Sequence, residues 1–224
     1  MTRRELPDIA REIVNSAKDG EEIEVAPSRG RSTTVNAYRG EVESLKSGSS
    51  QGVGIRIIID GSEGFASAGS LDPEIVSEVV NEARQNLTFA EKDPHQAIAL
   101  PDGVESPRLD LFDRSVIGIS EKEKIAIAID LERRCLARDK RVTGVRASTW
   151  SDGWAEFALV STAGIAIHEE GGSCSVGVQP LAEESGETQI GYYGDMARRL
   201  EDLDLDKVVV CLLYTSPSPR DKHR

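Results

Sequence analysis

The chain has 224 residues, 38% hydrophobic and 29% charged, a balance that suits a soluble globular protein rather than a disordered or membrane-embedded one. Its formal net charge of -12 repels phosphate backbones and anionic lipid, so neither nucleic acid nor a membrane surface is expected as a partner. No apolar run reaches the roughly 18 residues of a spanning helix, and the N-terminus is charged and amphipathic rather than a basic start before an apolar block, which predicts a cytoplasmic location.

Leu6, Ile9, Ala10, Ile13, Val14 and Ala17 recur at three- and four-residue intervals and predict an amphipathic helix ending at Asp19-Gly20. Strand-like runs follow at residues 22–26, 33–39, 41–46 and 53–60. Arg29-Gly30, Arg39-Gly40 and the Ser- and Gly-rich stretch 47–52 separate them and read as hairpin connections. The stretch 52–60 is the most apolar and reads as a central strand, from which Asp60-Gly61 turns into a short partner at 64–68. In the stretch Ser70 to Glu74, a capping residue, Pro73 at the first helical position and an acid in the first turn announce a helix to about Asn86. Ile75, Val76, Val79, Val80, Ala83 and Leu87 form its apolar stripe. Residues 90–110, with Pro94, Pro101 and Pro107, read as a linker.

Beyond it, Ser120 and Glu123 form a capping box for a helix to about Arg138, with Ile125, Ala126, Ile129, Leu131, Cys135 and Leu136 as its apolar positions. Strands are then predicted at 141–151, 154–161, 165–168, 173–183 and 189–193. An acidic start after Leu200 leads toward a last helix with Val208 to Val210 as its first apolar turn. The stretch 211–224, which includes Cys211, Pro217, Pro219 and His223, breaks that pattern and turns basic; it resembles translated adapter sequence and reads as a non-native tail. Runs of adjacent strands without strand-helix-strand alternation predict an α+β protein of two small domains, each packing helix on a mainly antiparallel sheet. The boundaries are 1–89 for the first domain, 90–110 for the linker and 111–210 for the second domain, with 211–224 outside both.

Little in the sequence carries chemistry. Cys135, Cys174 and Cys211 are odd in number and widely spaced, so they read as buried apolar side chains rather than a disulfide framework or a CxxC metal site. Lys122 and Lys124 alternate with Glu121 and Glu123, and Arg29 and Arg31 flank a turn, so these charges read as solvated faces. His168-Glu169 begins like a zinc helix, but Gly172 and Ser173 stand where the second histidine would be needed, so His168 reads as a strand-end residue at a hairpin. Gly52-Val-Gly54 precedes a strand instead of joining strand to helix, which is the wrong context for a phosphate loop, and reads as a turn. Ser161, Ser173 and Ser175 lack a glycine-flanked nucleophile elbow, and the acidic run from Glu183 to Glu187 reads as a solvated hairpin tip. No catalytic residue, no cofactor-binding residue and no metal ligand is therefore assigned in this chain.

The ordered set of motifs says more than any one of them. The stretch Arg31 to Ser44, then Gly52-Val-Gly-Ile-Arg56, Gly64-Phe-Ala-Ser67 and Leu71-Asp-Pro-Glu74, resembles the first domain of the TldD/PmbA family. Asp110-Leu-Phe-Asp113, the stretch Ser120 to Ile125, the strands from Val145 to Thr162, the stretch Glu187 to Tyr193 and Ala197-Arg-Arg-Leu200 are similar to its second domain. The resemblance implies a peptidase subunit of a TldD/TldE heterodimer that cleaves unfolded or modified peptides. In that family the zinc-binding His-Glu-x-x-x-His helix belongs to TldD and lies downstream of these two domains, so zinc is expected in the partner subunit and none in this chain. The Gly186 to Tyr193 hairpin, with Glu187 and Gln189, resembles the PmbA/TldE side, which implies the non-catalytic subunit and a TldD-like partner; for such a subunit, pairing of an extended peptide with a strand edge is the expected binding mode. A piece of the zinc-bearing TldD-type subunit and a stand-alone binding or scaffolding module remain alternatives. An exposed apolar patch and a tendency to associate are expected of a chain that stops before the family's downstream half.

Overall fold

The computed structural model describes residues 4–104, 107 and 109–215. In chain order it contains α1 (Leu6–Val14), β1 (Glu22–Tyr38), β2 (Glu41–Ile59), β3 (Ser62–Ala68), α2 (Pro73–Asn86), α3 (Ser115–Gly118), α4 (Glu121–Arg138), β4 (Val142–Ser161), β5 (Ala166–Glu184), β6 (Glu187–Ile190), β7 (Tyr193–Ala197) and α5 (Leu205–Thr215). The strands are hydrogen-bonded in the order β3-β2-β1-β4-β5-β6, with β7 also on β5. The β2–β3, β5–β6 and β5–β7 pairs are antiparallel. This is the α+β, antiparallel class expected from the sequence.

Contacts divide the chain into two compact units. The first holds Met1–Gly30, Ser49–Leu109 and Ala155–Gly171; the second holds Arg31–Gly48, Asp110–Trp154 and Gly172–Arg224. The boundaries read from the sequence follow chain order, whereas β1, β2, β4 and β5 each give one part to either unit. The reason is strand length. Residues 29–30 and 47–52 were expected to be connections but lie inside β1 and β2. Residues 152–153 and 169–172 likewise lie inside β4 and β5. Small polar residues carry no apolar alternation, yet their backbones complete a ladder as well as any others. Gly172 has a further role, because a Cβ there would stand 2.9 Å from the Phe112 ring. The expected strand at 189–193 is two shorter ones, β6 and β7.

In the first unit, α1 and α2 cover one sheet face. Leu6, Ile9 and Ile13 of α1 and Val76, Val79 and Val80 of α2 pack with Ile23, Val25, Val53, Ile55, Ile57, Ala158 and Val160 of the strands. Fully burying each large aliphatic side chain stabilises by about 1.5–3 kcal/mol before entropy is counted. Asp72 caps α2, accepting from the Glu74 amide at 3.1 Å, and Pro73 follows at the first helical position. At the far end Arg84 donates to both carboxylate oxygens of Glu21, at 2.8 and 2.9 Å, and to the Ser16 carbonyl, tying the end of α2 to the segment between α1 and β1. α1 ends at Val14, three residues before the last apolar position expected for it. The linker is not a free tether. The Asp93 amide donates to the Gly61 carbonyl, and Ile98 is buried, its amide reaching Glu22.

In the second unit α4 packs over Val35, Ala37, Val145, Trp150, Cys174, Val176 and Val178, joined by Val116 of α3, an element the sequence reading missed, and by Val208 and Val209 of α5. Ser120 caps α4 through the Glu123 amide at 3.2 Å, as its spacing predicted. The buried face of the helix differs from expectation. It holds Lys124, Ala128, Leu131, Glu132 and Cys135, while Leu136 is exposed. Glu132 accepts from the amides of Arg39 and Gly40 at 2.7 and 2.8 Å, both in the left-handed turn that joins β1 to β2, with φ of 55° and 76°. Asp204 caps α5 through the Lys207 amide. The helical backbone continues to Thr215, past Val210 where the expected pattern stopped. The side chain of Cys211 and residues 216–224, with His223, lie outside the described residues.

Candidate functional site

His168, the histidine singled out in the sequence, lies inside β5 rather than at a strand end. Its Nε2 is 3.1 Å from Oε1 of Glu156 on β4, and Oε2 of Glu156 accepts from Nε of Arg29 on β1 at 2.6 Å. Arg29 also donates to the Arg4 carbonyl at 2.9 Å and stands 3.9 Å from Glu5. The side chains of Glu156 and Arg29 are 2% and 11% exposed, and that of His168 is 41% exposed. Arg29 was expected on a solvated turn; the structure makes it the buried counter-ion of a buried carboxylate. Burial of an ion pair is tolerated when hydrogen bonds satisfy both partners, and here both carboxylate oxygens are engaged.

A metal ion does not fit this cluster. Zinc needs three or four convergent donors with free lone pairs, whereas the Glu156 oxygens already face a guanidinium and an imidazole, and the guanidinium would repel a second cation. Among the described residues no group of three or more His, Cys, Asp or Glu side chains is gathered to hold a metal.

A second buried ion pair lies in the other unit. Lys124, expected on a solvated helix face, is 4% exposed, with Nζ 2.7 Å from Oδ1 of Asp152, the same oxygen that accepts from Trp150 Nε1 at 2.7 Å. Both clusters were legible in pattern if not in role. Glu156 alternates with Ala158 and Val160 on the core face of β4, and Lys124 shares a helical stripe with Ala128, Leu131 and Cys135.

The remaining candidates resolve into structure. Gly52 and Gly54 lie within β2 rather than in a turn: a Cβ at Gly52 would meet the Ala68 carbonyl at 2.7 Å, and Gly54 lies under the Phe65 ring. Cys135 and Cys174 are free, buried thiols, each pushed up to about 11, chiefly by burial and secondarily by nearby carboxylates. Thiols held so far above neutral pH are not nucleophiles. The acidic run spans the Ser185-Gly186 turn between β5 and β6, a hairpin tip as expected. A groove of about 260 Å³ between α1 and α2 has an apolar floor that includes Ile9, Ile13, Val76 and Val80. Its rim charges are satisfied within the unit, Arg4 by Glu12 and Arg84 by Glu21.

Fold and site together define a helix-on-sheet α+β protein with two buried ion pairs, Arg29 with Glu156 and Lys124 with Asp152. Two family models match it in order: residues 24–87 match PmbA/TldA metallopeptidase domain 1, and residues 114–212 match the PmbA/TldA metallopeptidase central domain. The chain belongs to the PmbA/TldD family. Among curated proteins it is 26% identical over 201 residues to the metalloprotease PmbA of Escherichia coli O157:H7, covering 89% of this chain and 44% of that protein. An uncharacterized protein of Methanocaldococcus jannaschii is 26% identical over 164 residues, covering 73% of this chain and 36% of the relative. The chain therefore spans less than half the length of these relatives. Of solved structures, a Thermotoga maritima protein described as a candidate modulator of DNA gyrase superposes with TM-score 0.79 at 18% identity, covering 93% of this chain and 47% of that one. TldE from Thermococcus kodakarensis superposes with TM-score 0.76, also at 18% identity, over 93% and 46%. At that identity the structural likeness speaks for the fold.

Among the described residues no helix is long and apolar enough to cross a membrane.

Proposed function

We propose that this chain is the N-terminal part of a PmbA/TldE-like subunit, the non-catalytic partner in a TldD/TldE-type metallopeptidase complex that processes unfolded or modified peptides. The observation that carries the reading is the succession of two family domains, matched in order at 24–87 and 114–212. The donor chemistry at His168 agrees with a supporting role: the carboxylate beside it is committed to Arg29, so these residues hold the sheet rather than an ion. In this reading the zinc sits in the TldD-type partner, and the complex works in the cytoplasm. The domains of this chain contribute walls and peptide-holding backbone.

Co-expression with a zinc-bearing TldD-type subunit from the same source tests it. The expected result is a co-eluting complex that degrades an unfolded peptide in a zinc-dependent way, while the chain alone degrades none. Failure to co-elute would favour the stand-alone scaffold, and zinc-dependent cleavage by the chain alone would favour a TldD-type catalytic subunit.

A further inference from the structure

The geometry points to the open edge of β2 at residues 41–48 as a docking site for an extended cationic peptide segment, taken up as an added antiparallel strand. The inference deepens the proposed function, because it rests on the reading of this protein as one that handles unfolded peptides.

β2 has two neighbours, β1 and β3. β3 pairs only with Val53 to Ile59, so among the described residues no strand lies on that side of residues 41–48. Seven of these eight residues are exposed, Ser44 being the intermediate one. Successive residues of a strand turn their N–H and C=O alternately to either side, so about four outward residues present unpaired donor and acceptor pairs. Of the other strands at the margin of the sheet, two are short: β6 has four residues and β7 five. The 41–48 edge is longer than β6 or β7, carries no proline, and has a single lysine, Lys46, as a guard.

Charge selects the occupant. Glu41, Glu43, Leu45 and Ser47 alternate onto one face, and Val42, Ser44, Lys46 and Gly48 onto the other. In a regular two-fold antiparallel pairing of this edge with a second copy, opposed residues come from the same face. Lys46 could then never stand opposite Glu41 or Glu43, and the acids would meet acids or uncharged residues. A foreign strand with Lys or Arg at alternate positions meets no such conflict. It places a cation opposite each glutamate while its backbone completes the ladder, and the protein's net charge of -12 draws it in.

The test uses the 224-residue chain and a fluorescein-labelled decapeptide alternating Lys with Thr and Val, followed by fluorescence anisotropy. Saturable binding is expected, about tenfold tighter than for the same peptide with Glu in place of Lys. The double variant Glu41→Lys/Glu43→Lys should invert that preference, and N-methylation of alternate peptide amides should abolish binding, which a merely electrostatic surface would not require. Hydrogen exchange should slow at residues 41–48 on peptide addition. Equal binding of the N-methylated peptide, protection elsewhere, or an unchanged preference in the double variant would overturn the proposal. So would protection of 41–48 that rises with protein concentration without peptide, since the occupant would then be a second copy. Peptide binding is read on the chain alone and co-elution with the TldD-type partner is read separately, so either reading can fail without the other.

Discussion

At the scale of single residues, two acid–base pairs are buried, Arg29 with Glu156 and Lys124 with Asp152, and each member depends on the other. Removing one member should expose this. Arg29→Ala leaves the carboxylate of Glu156 buried without its cation and should cost about 3 kcal/mol or more, read as a lowered urea midpoint, whereas Arg29→Met with Glu156→Leu should cost less than the single change. The inward position of Glu156 could be read from its alternation with Ala158 and Val160, but its partner could not. Arg29 lies 127 positions away in the chain, and no local periodicity reports an encounter across that distance. The same holds for Lys124, whose charge pattern with Glu121 and Glu123 suggested solvent until Asp152 supplied a buried partner.

At the scale of elements, the helix caps and two tight turns were legible from neighbours in sequence, whereas strand pairing was not, and Arg29-Gly30, which reads like the same kind of turn, lies inside β1. The caps at Ser120 and Asp72 and the left-handed turns at Arg39-Gly40 and Asp60-Gly61 are local signals, and all of them appear. The fusion of short runs into strands of 17 to 20 residues depends on the ladder partner, which composition does not reveal. Close approach of elements gives a direct test. A Cβ on Gly64 would lie 2.0 Å from the Ala83 carbonyl and 3.0 Å from Leu87, so Gly64→Ala should destabilise by about 3 kcal/mol or more in thermal melts, while Gly48→Ala, with nothing within 4 Å, should change little. The link between α2 and the start of β1 has a pH signature. The Arg84 guanidinium hydrogen-bonded to Glu21 holds that carboxyl below its ordinary value of 4.5, opposed in part by burial. A depressed carboxylate contributes stability that is fully present above the unfolded value and is lost as pH falls through the folded one. Urea titrations from pH 6 downward should therefore show stability falling below about pH 4.5, and the fall should be shallower in Arg84→Met.

At the scale of the whole molecule, the family and the fold class were legible because the order of motifs is retained over most of the chain, whereas the way the units share strands was not. Phe89, Leu100, Val104 and Leu109 are 86%, 78%, 75% and 65% exposed, all within or beside the stretch read as a linker. Exposed apolar side chains gathered in one stretch favour association, so light scattering coupled to size-exclusion chromatography should show mass rising with concentration, and less so in Phe89→Ser/Leu100→Ser; a constant monomer mass would contradict this. The contact of Glu132 with the β1–β2 turn bears on how the second unit assembles. The amides of Arg39 and Gly40 find their acceptor on a helix more than ninety positions later in the chain. Until that helix docks, the tip of the first hairpin has no protein acceptor for two of its protons. In a pulse-labelling refolding experiment those two amides would act as a clock for helix arrival, becoming protected later than the ladder amides beside them.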